Sequence, residues 1–264
     1  MEIIKVDLGA DYDNIELHIF ADEHIGDNNC DIDRLKERIK YVEETPNAYC
    51  VLNGDLMDNA TRTSIGDIYA NSVSPMKQVE FVVDLFRPIQ HKILAITHGN
   101  HENRTYRKEG IDLSRVVAAE LGLIERYSAT SVMLYIQVGQ NTRHGRKNKD
   151  GNYTKLVYSV YMLHGGGGGR KEGAKAIRLA DMAAIVDADI YIHSHTHLPM
   201  VMKQAFYRSN KNTFSVTCAD KLFVNTAANL RYGGYGEAQE FKPSSMQSPI
   251  IYLSGKKFNM AAKL

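Results

Sequence analysis

Nowhere in its 264 residues does the chain string together the roughly 18–20 apolar residues of a bilayer-crossing helix, so no membrane span is expected. Cysteine is scarce. Cys30, Cys50 and Cys218 are odd in number, far apart and form no C-x-x-C pair, which argues against a disulfide-stapled secreted scaffold and for a reducing compartment. Charge of one sign is also lacking: 32 Lys and Arg against 31 Asp and Glu leave a formal +1, giving no global field to steer nucleic acid or an anionic membrane. The first ten residues carry Glu2 and Asp7 and no unbroken apolar core, so they do not read as a signal peptide, and a cytoplasmic location is expected. Repeats and long linkers are missing. Residues 1–264 are therefore expected to form one domain, with 44% hydrophobic content ordinary for a buried core of that size.

What is present begins with periodicity. Ile15, Leu17, Ile19 and Ala21 alternate and predict a strand running into Asp22, while Ile32, Leu35, Ile39 and Val42 recur at helical spacing over 31–44. A short strand over 49–53 ends at Gly54-Asp55. Ser74-Pro75 opens a helix with Met76, Val79, Val82, Val83 and Phe86 on one face. A strand over 93–96 feeds Thr97–His101, and 112–121 reads as a helix closed by Gly122. Beyond it, 132–138 and 153–163 predict a pair of strands joined through Asp150-Gly151, and 172–186 a helix. Short strands are expected at 190–192, 201–206, 213–217, 222–225 and 249–253. A βαβα first half and a strand-rich second half predict two packed sheets with helices outside.

Five short segments at these strand ends carry metal-ligand residue types: Asp22-Glu23-His24, Gly54-Asp55-Leu56-Met57-Asp58, Gly99-Asn100-His101-Glu102, His164, and His195-Thr196-His197. They supply three carboxylates, one amide and five imidazoles, enough for two adjacent divalent cations with one imidazole to spare. Ligand sites in open α/β sheets lie beyond the carboxyl ends of strands, where these segments fall. The inventory points to phosphate-ester hydrolysis. A mixed nitrogen and oxygen shell suits manganese, iron, zinc or nickel better than calcium or magnesium, and manganese is the expected metal.

In this order, Asp-x-His, Gly-Asp-x-x-Asp, Gly-Asn-His-Glu, a lone His and His-x-His resemble the calcineurin-like metallophosphoesterase superfamily over about residues 15 to 227. The resemblance implies an α/β (α+β) fold: a four-layer αββα sandwich of two mixed sheets packed face to face, with a two-metal centre at one edge. By position, Asp22, His24 and His197 would hold one metal, Asn100, His164 and His195 the other, and Asp55 would bridge them. His101 would face the leaving-group oxygen, oriented by Asp58. The motifs are also similar to those of repair-nuclease subunits and compact phage phosphoesterases. Two positions depart from the family pattern. Ser194 stands where the closing motif usually has glycine, so a positive φ there would cost about 1 kcal/mol or more. Asn59-Ala60 replaces the Arg-Gly of the protein phosphatase branch, which disfavours a protein phosphatase.

Several residues stay open between chemistry and structure. His18, His91, His98 and His144 read as structural or solvated, His193 as a packed neighbour of the ligands, and Glu23 and Glu102 as supports. The run Gly165–Gly169 before Arg170 could approach a phosphate closely or form a mobile loop. Arg104, Arg107 and Arg170 are candidate substrate-phosphate contacts. Arg143, Arg146, Lys147 and Lys149 form a basic tip that could grip a nucleic-acid backbone or merely be solvated. The expected activity is metal-dependent hydrolysis of phosphodiesters, with DNA or RNA as first substrate. The alternatives are a small-molecule phosphodiesterase or phosphomonoesterase, and a non-catalytic protein-binding scaffold. The oligomeric state is open, a homodimer being one option.

Overall fold

Apolar alternation sorts the strands into two inner faces in the computed structural model, which describes residues 1–264 except 62–63, 65–70, 72, 143–144, 146, 148, 150, 152, 168 and 170. Ile15, Leu17 and Ile19 of β2 (Asn14–Phe20) share a buried cluster with Leu134 and Ile136 of β6 (Ser131–Val138) and with Tyr158, Val160 and Met162 of β7 (Leu156–Leu163). Residues out of phase by one face the other way. Phe20 joins Leu35 and Ile39 of α1 (Ile32–Glu44) and Val79, Val82 and Phe86 of α2 (Pro75–Phe86). Tyr161, with Tyr191 of β8 (Ile190–His193), packs with Leu179 and Met182 of α5 (Glu172–Ile185). Three clusters between four layers give the αββα sandwich.

Among the described residues each sheet has six strands. One runs β12–β11–β2–β3–β4–β5, with β3 at Ala48–Asn53, β4 at Ile93–Thr97, β5 at Tyr127–Ser128, β11 at Ile250–Ser254 and β12 at Met260–Lys263. The other runs β1–β6–β7–β8–β10–β9, with β1 at Glu2–Asp7, β9 at Met200–Asn210 and β10 at Ser215–Asn225. Strands β2, β3 and β4 are parallel to one another, and so are β7, β8 and β10. Their carboxyl ends gather at one edge of the sandwich, where the five motif segments emerge.

Some sequence expectations need correction. The strands expected at 213–217 and 222–225 are one, β10, because its polar middle pairs residue by residue with β9. The backbone ladder carries a stretch that apolar pattern could not reveal. Met76 is 55% exposed, and Gln78 takes the buried place in α2, where its Oε1 accepts the Asn59 N–H at 2.8 Å. Only Lys147 and Lys149 of the basic tip are among the described residues. Lys147 and Lys149 precede β7, whose eight residues carry the chain about 25 Å before His164; Arg143, Arg146 and His144 lie outside the described residues. All three cysteines are free thiols, and no helix among the described residues is long and apolar enough to cross a membrane.

Candidate metal centre

Three of the five motif segments leave their strands through left-handed residues. Asp22, His24, Asp55, Asn59, His195 and His197 have φ between 46° and 65°. Asp, Asn and His tolerate that region better than other side chains, but it still costs about 1–2 kcal/mol per residue. Five of the seven residues suited to ligation are in it. Strain concentrated this way persists only where surrounding contacts over-determine it, and it marks functional turns. Ser194 is not strained. The positive φ falls on His195, and Ser194 Oγ accepts a 2.7 Å hydrogen bond from Asn53 Nδ2.

The five segments bring nine side chains from both sheets into one cluster, with Asp22, His24, Asp55 and His164 buried and the others half-buried. His197 Nε2 lies 3.2 Å from Asp22 Oδ1 and 3.2 Å from His24 Nε2. His164 Nε2 is 3.1 Å from Asp55 Oδ2 and 3.0 Å from Asn100 Oδ1, whose other neighbour is His195 Nδ1 at 2.6 Å. Separations near 3 Å are those of adjacent ligand atoms around a cation bound at about 2.0–2.2 Å. Asp22, His24 and His197 form one potential cation group, and Asp55, His164 and His195 another. His24 Nδ1 is buried with no hydrogen-bond partner among the described residues. The donor set therefore fits divalent cations.

Burial alone would depress His164, yet the Asp55 and Asp22 carboxylates and the Asn53 carbonyl outweigh it and raise it to about 10. Burial likewise works against ionising Asp55, but His164 and His101 hold its carboxyl well below the usual range. His24 falls to about 3 through burial and the neighbouring His101 and His197, and His195 to about 4 through burial and His164. Their ring nitrogens thus stay neutral at pH 7, as ligation requires.

Supports that the motifs do not announce hold these groups. Asn53 clamps the two sheets: its Nδ2 donates to Leu163 O and Ser194 Oγ, and its Oδ1 accepts from Thr97 Oγ1. Asp22 accepts the His195 N–H and the Thr226 hydroxyl. Glu102, at the start of α3 (Glu102–Glu109), accepts the backbone N–H groups of Asp55, Leu56 and Met57. Glu23 instead pairs with Arg38 at 2.8 Å. His193 Nδ1 donates to Asn225 Oδ1, His18 lies 3.2 Å from Glu16, and His98 lies 3.2 Å from Asp112.

His101 Nδ1 donates to Asp58 O at 2.7 Å and lies 3.1 Å from Asp58 Oδ1. Arg104 donates to Asp58 O and, through Nη2, to His101 Nε2 at 2.9 Å, because a guanidinium has no acceptor. Asn59 Nδ2 donates to His101 O. Arg107 lines a groove beside Asn100 and His195, and Arg170 lies outside the described residues.

Glycine is required where β3 and β4 approach. A Cβ on Gly99 would sit 2.1 Å from Asp55 N and 2.3 Å from Asp55 Oδ1. Gly99→Ala is expected to destabilise the protein by about 1–3 kcal/mol and to lower manganese uptake together, since relief of the clash moves Asp55. Thermal unfolding with and without Mn²⁺ checks this; unimpaired uptake would show that the turn relaxes elsewhere.

The family model described as calcineurin-like phosphoesterase matches residues 18–199. No curated protein matches the chain. Among solved structures it is similar to the calcineurin-like phosphoesterase YfkN of Bacillus subtilis, at 15% identity over 95% of this chain and 90% of that one, with a TM-score of 0.42. It is also similar to a metallophosphoesterase from Sphaerobacter thermophilus (10% identity, 91% and 84% covered, TM-score 0.39). A third similarity is to the nuclease MPE of Pseudomonas putida (15% identity, 94% and 87% covered, TM-score 0.34).

Proposed function

Since the chain belongs to the calcineurin-like phosphoesterase family of metal-dependent phosphoesterases, we propose that it hydrolyses phosphodiesters, with nucleic acid as substrate. The observation that carries the reading is the convergence of five left-handed ligand residues from both sheets on one buried pocket. Asp22, His24 and His197 would hold one cation, Asn100, His164 and His195 the second, and Asp55 both. When bound, the pair supplies a nucleophile from water at neutral pH and neutralises charge on the phosphoryl oxygens.

The chain's own residues do the rest. Asp58 fixes the His101 ring through Nδ1, and Nε2, which accepts from Arg104 in this structure, would serve the leaving-group oxygen as a protonated imidazolium once substrate displaces that bond. Arg104 shares that position and brings a fixed positive charge to the developing oxyanion. Among the described residues it is the one basic side chain bonded to His101 or Asp58, a provision that suits a singly charged diester better than a dianionic monoester.

Manganese-loaded protein is expected to hydrolyse bis(p-nitrophenyl) phosphate faster than p-nitrophenyl phosphate, and to degrade linear single-stranded DNA in a manner lost on raising salt. The reverse order of the aryl esters would make it a phosphomonoesterase. Diester turnover with intact DNA would indicate a small-molecule phosphodiesterase. Two bound equivalents of metal with no hydrolysis would indicate a protein-binding scaffold.

A further inference from the structure

A groove of about 660 Å³ leaves the metal centre at Asn100, His164 and His195 and runs toward α3 and α5. Its volume is that of a small-molecule site, roughly 300–1,000 Å³. Arg107 of α3 and Arg178 of α5 line it, with Asp181 the acidic residue among its lining, while Leu163, Met182 and Ile185 provide an apolar wall. Two guanidinium groups are more than one phosphate requires once that phosphate is neutralised at the cation site. They suit a second phosphate, carried by a body with an apolar face.

Gly165, Gly166 and Gly167 shape this groove. Gly165 has φ 98°, and a Cβ there would meet His193 Nε2 at 2.3 Å. Gly167 has φ 85°, and a Cβ there would meet both terminal nitrogens of Arg178 at 2.5 Å. Arg178 Nη1 donates to Gly166 O at 2.8 Å. The loop is therefore fitted between an imidazole and a guanidinium that any larger residue would displace. The bond to Gly166 engages one of five N–H donors, so the arginine is anchored at the groove with a fork available for an anion.

We propose that this groove seats the nucleotide next to the scissile phosphodiester, with Arg178 and Arg107 holding that nucleotide's own phosphate and the wall of Met182 and Ile185 taking its base. The inference rests on the phosphodiesterase reading above and adds the substrate class and the residues that select it. A monoester or an aryl diester would leave both arginines idle. A chain of nucleotides uses them.

The test compares thymidine trinucleotide, which carries two phosphates, with the dinucleotide, which carries one. On manganese-loaded full-length protein the trinucleotide is expected to show a kcat/KM at least ten-fold higher. Arg178→Gln should reduce that preference to near unity and Arg107→Gln should reduce it in part. Equal losses on both substrates, or an undiminished preference, would overturn the proposal. Fluorescence anisotropy of labelled trinucleotide on metal-free protein gives an independent reading. Arg178→Gln should weaken binding ten-fold or more, whereas Asp181→Asn should tighten it, an opposite sign that a misfolded loop would not produce. If bis(p-nitrophenyl) phosphate is hydrolysed but parent and Arg178→Gln bind the trinucleotide alike, the groove assignment fails and the phosphodiesterase reading stands. If binding follows the expected pattern but no ester is hydrolysed, the activity fails and the groove stands. Tighter Arg178-dependent binding of a phosphopeptide than of the trinucleotide would overturn the nucleotide assignment.

Discussion

Asp55→Asn is expected to lose cations and activity together. Asp55 is buried at 1% exposure, faces His164 Nε2 at 3.1 Å and accepts the His101 N–H on its other oxygen at 2.8 Å. An amide keeps the shape but removes the charge, and it offers one oxygen where two are used. A carboxylate can span two cations about 3.5–4 Å apart, and asparagine cannot do so as an anion. Turnover should fall by about 10²–10³-fold or more, the scale of losing one electrostatic stabiliser of a transition state. Metal analysis after gel filtration should show fewer than two equivalents of manganese. Two tightly held equivalents in the variant would sink the shared-carboxylate assignment.

His101→Asn should separate those two losses. His101 is assigned no cation; its ring is fixed by Asp58 and touched by Arg104. Manganese content should remain at the parent value while kcat falls by about 10²–10⁴-fold, the range for removing a positioned general acid. The loss should be largest for an alkyl or nucleoside leaving group and smallest for p-nitrophenolate, which departs without a proton. Equal losses on both would remove proton donation from His101 and leave it a positioning residue. Replacing Asp58 by asparagine should weaken the same leaving-group dependence only modestly, because the backbone carbonyl of residue 58 still accepts from Nδ1 and only the carboxylate beside it is lost.

The layers were legible because alternation is strict where two sheets face each other. Ile15, Leu17 and Ile19 announce their inner face, and Val79, Val82 and Phe86 their helix. The edges were not. β1 buries Ile4 alone below a tenth of its exposure, too thin a signal to read, and α3 buries only Glu102, so it has no apolar periodicity to announce it as a helix. Motif order drew attention to the nine clustered side chains, but it carried no information on what braces them. Asn53 reads as the last residue of an apolar strand, yet its amide joins the ends of β3, β4, β7 and β8. Such a role depends on partners 44 to 141 residues away, which local pattern cannot encode. The only hint was a polar residue closing a buried strand.

Asp22, Asp55 and Asn100 issue from one sheet and His164, His195 and His197 from the other, so the pocket measures how those sheets are aligned. Its groups must meet within tenths of an ångström, while alignment is set by residues such as Leu17, Leu134 and Val160 deep between the layers. Trimming a methyl group there would let one sheet slide over its neighbour and spread the cluster. Hydrolytic rate should therefore report on interior packing far from any reacting atom, and variants that fold normally could still be poor catalysts.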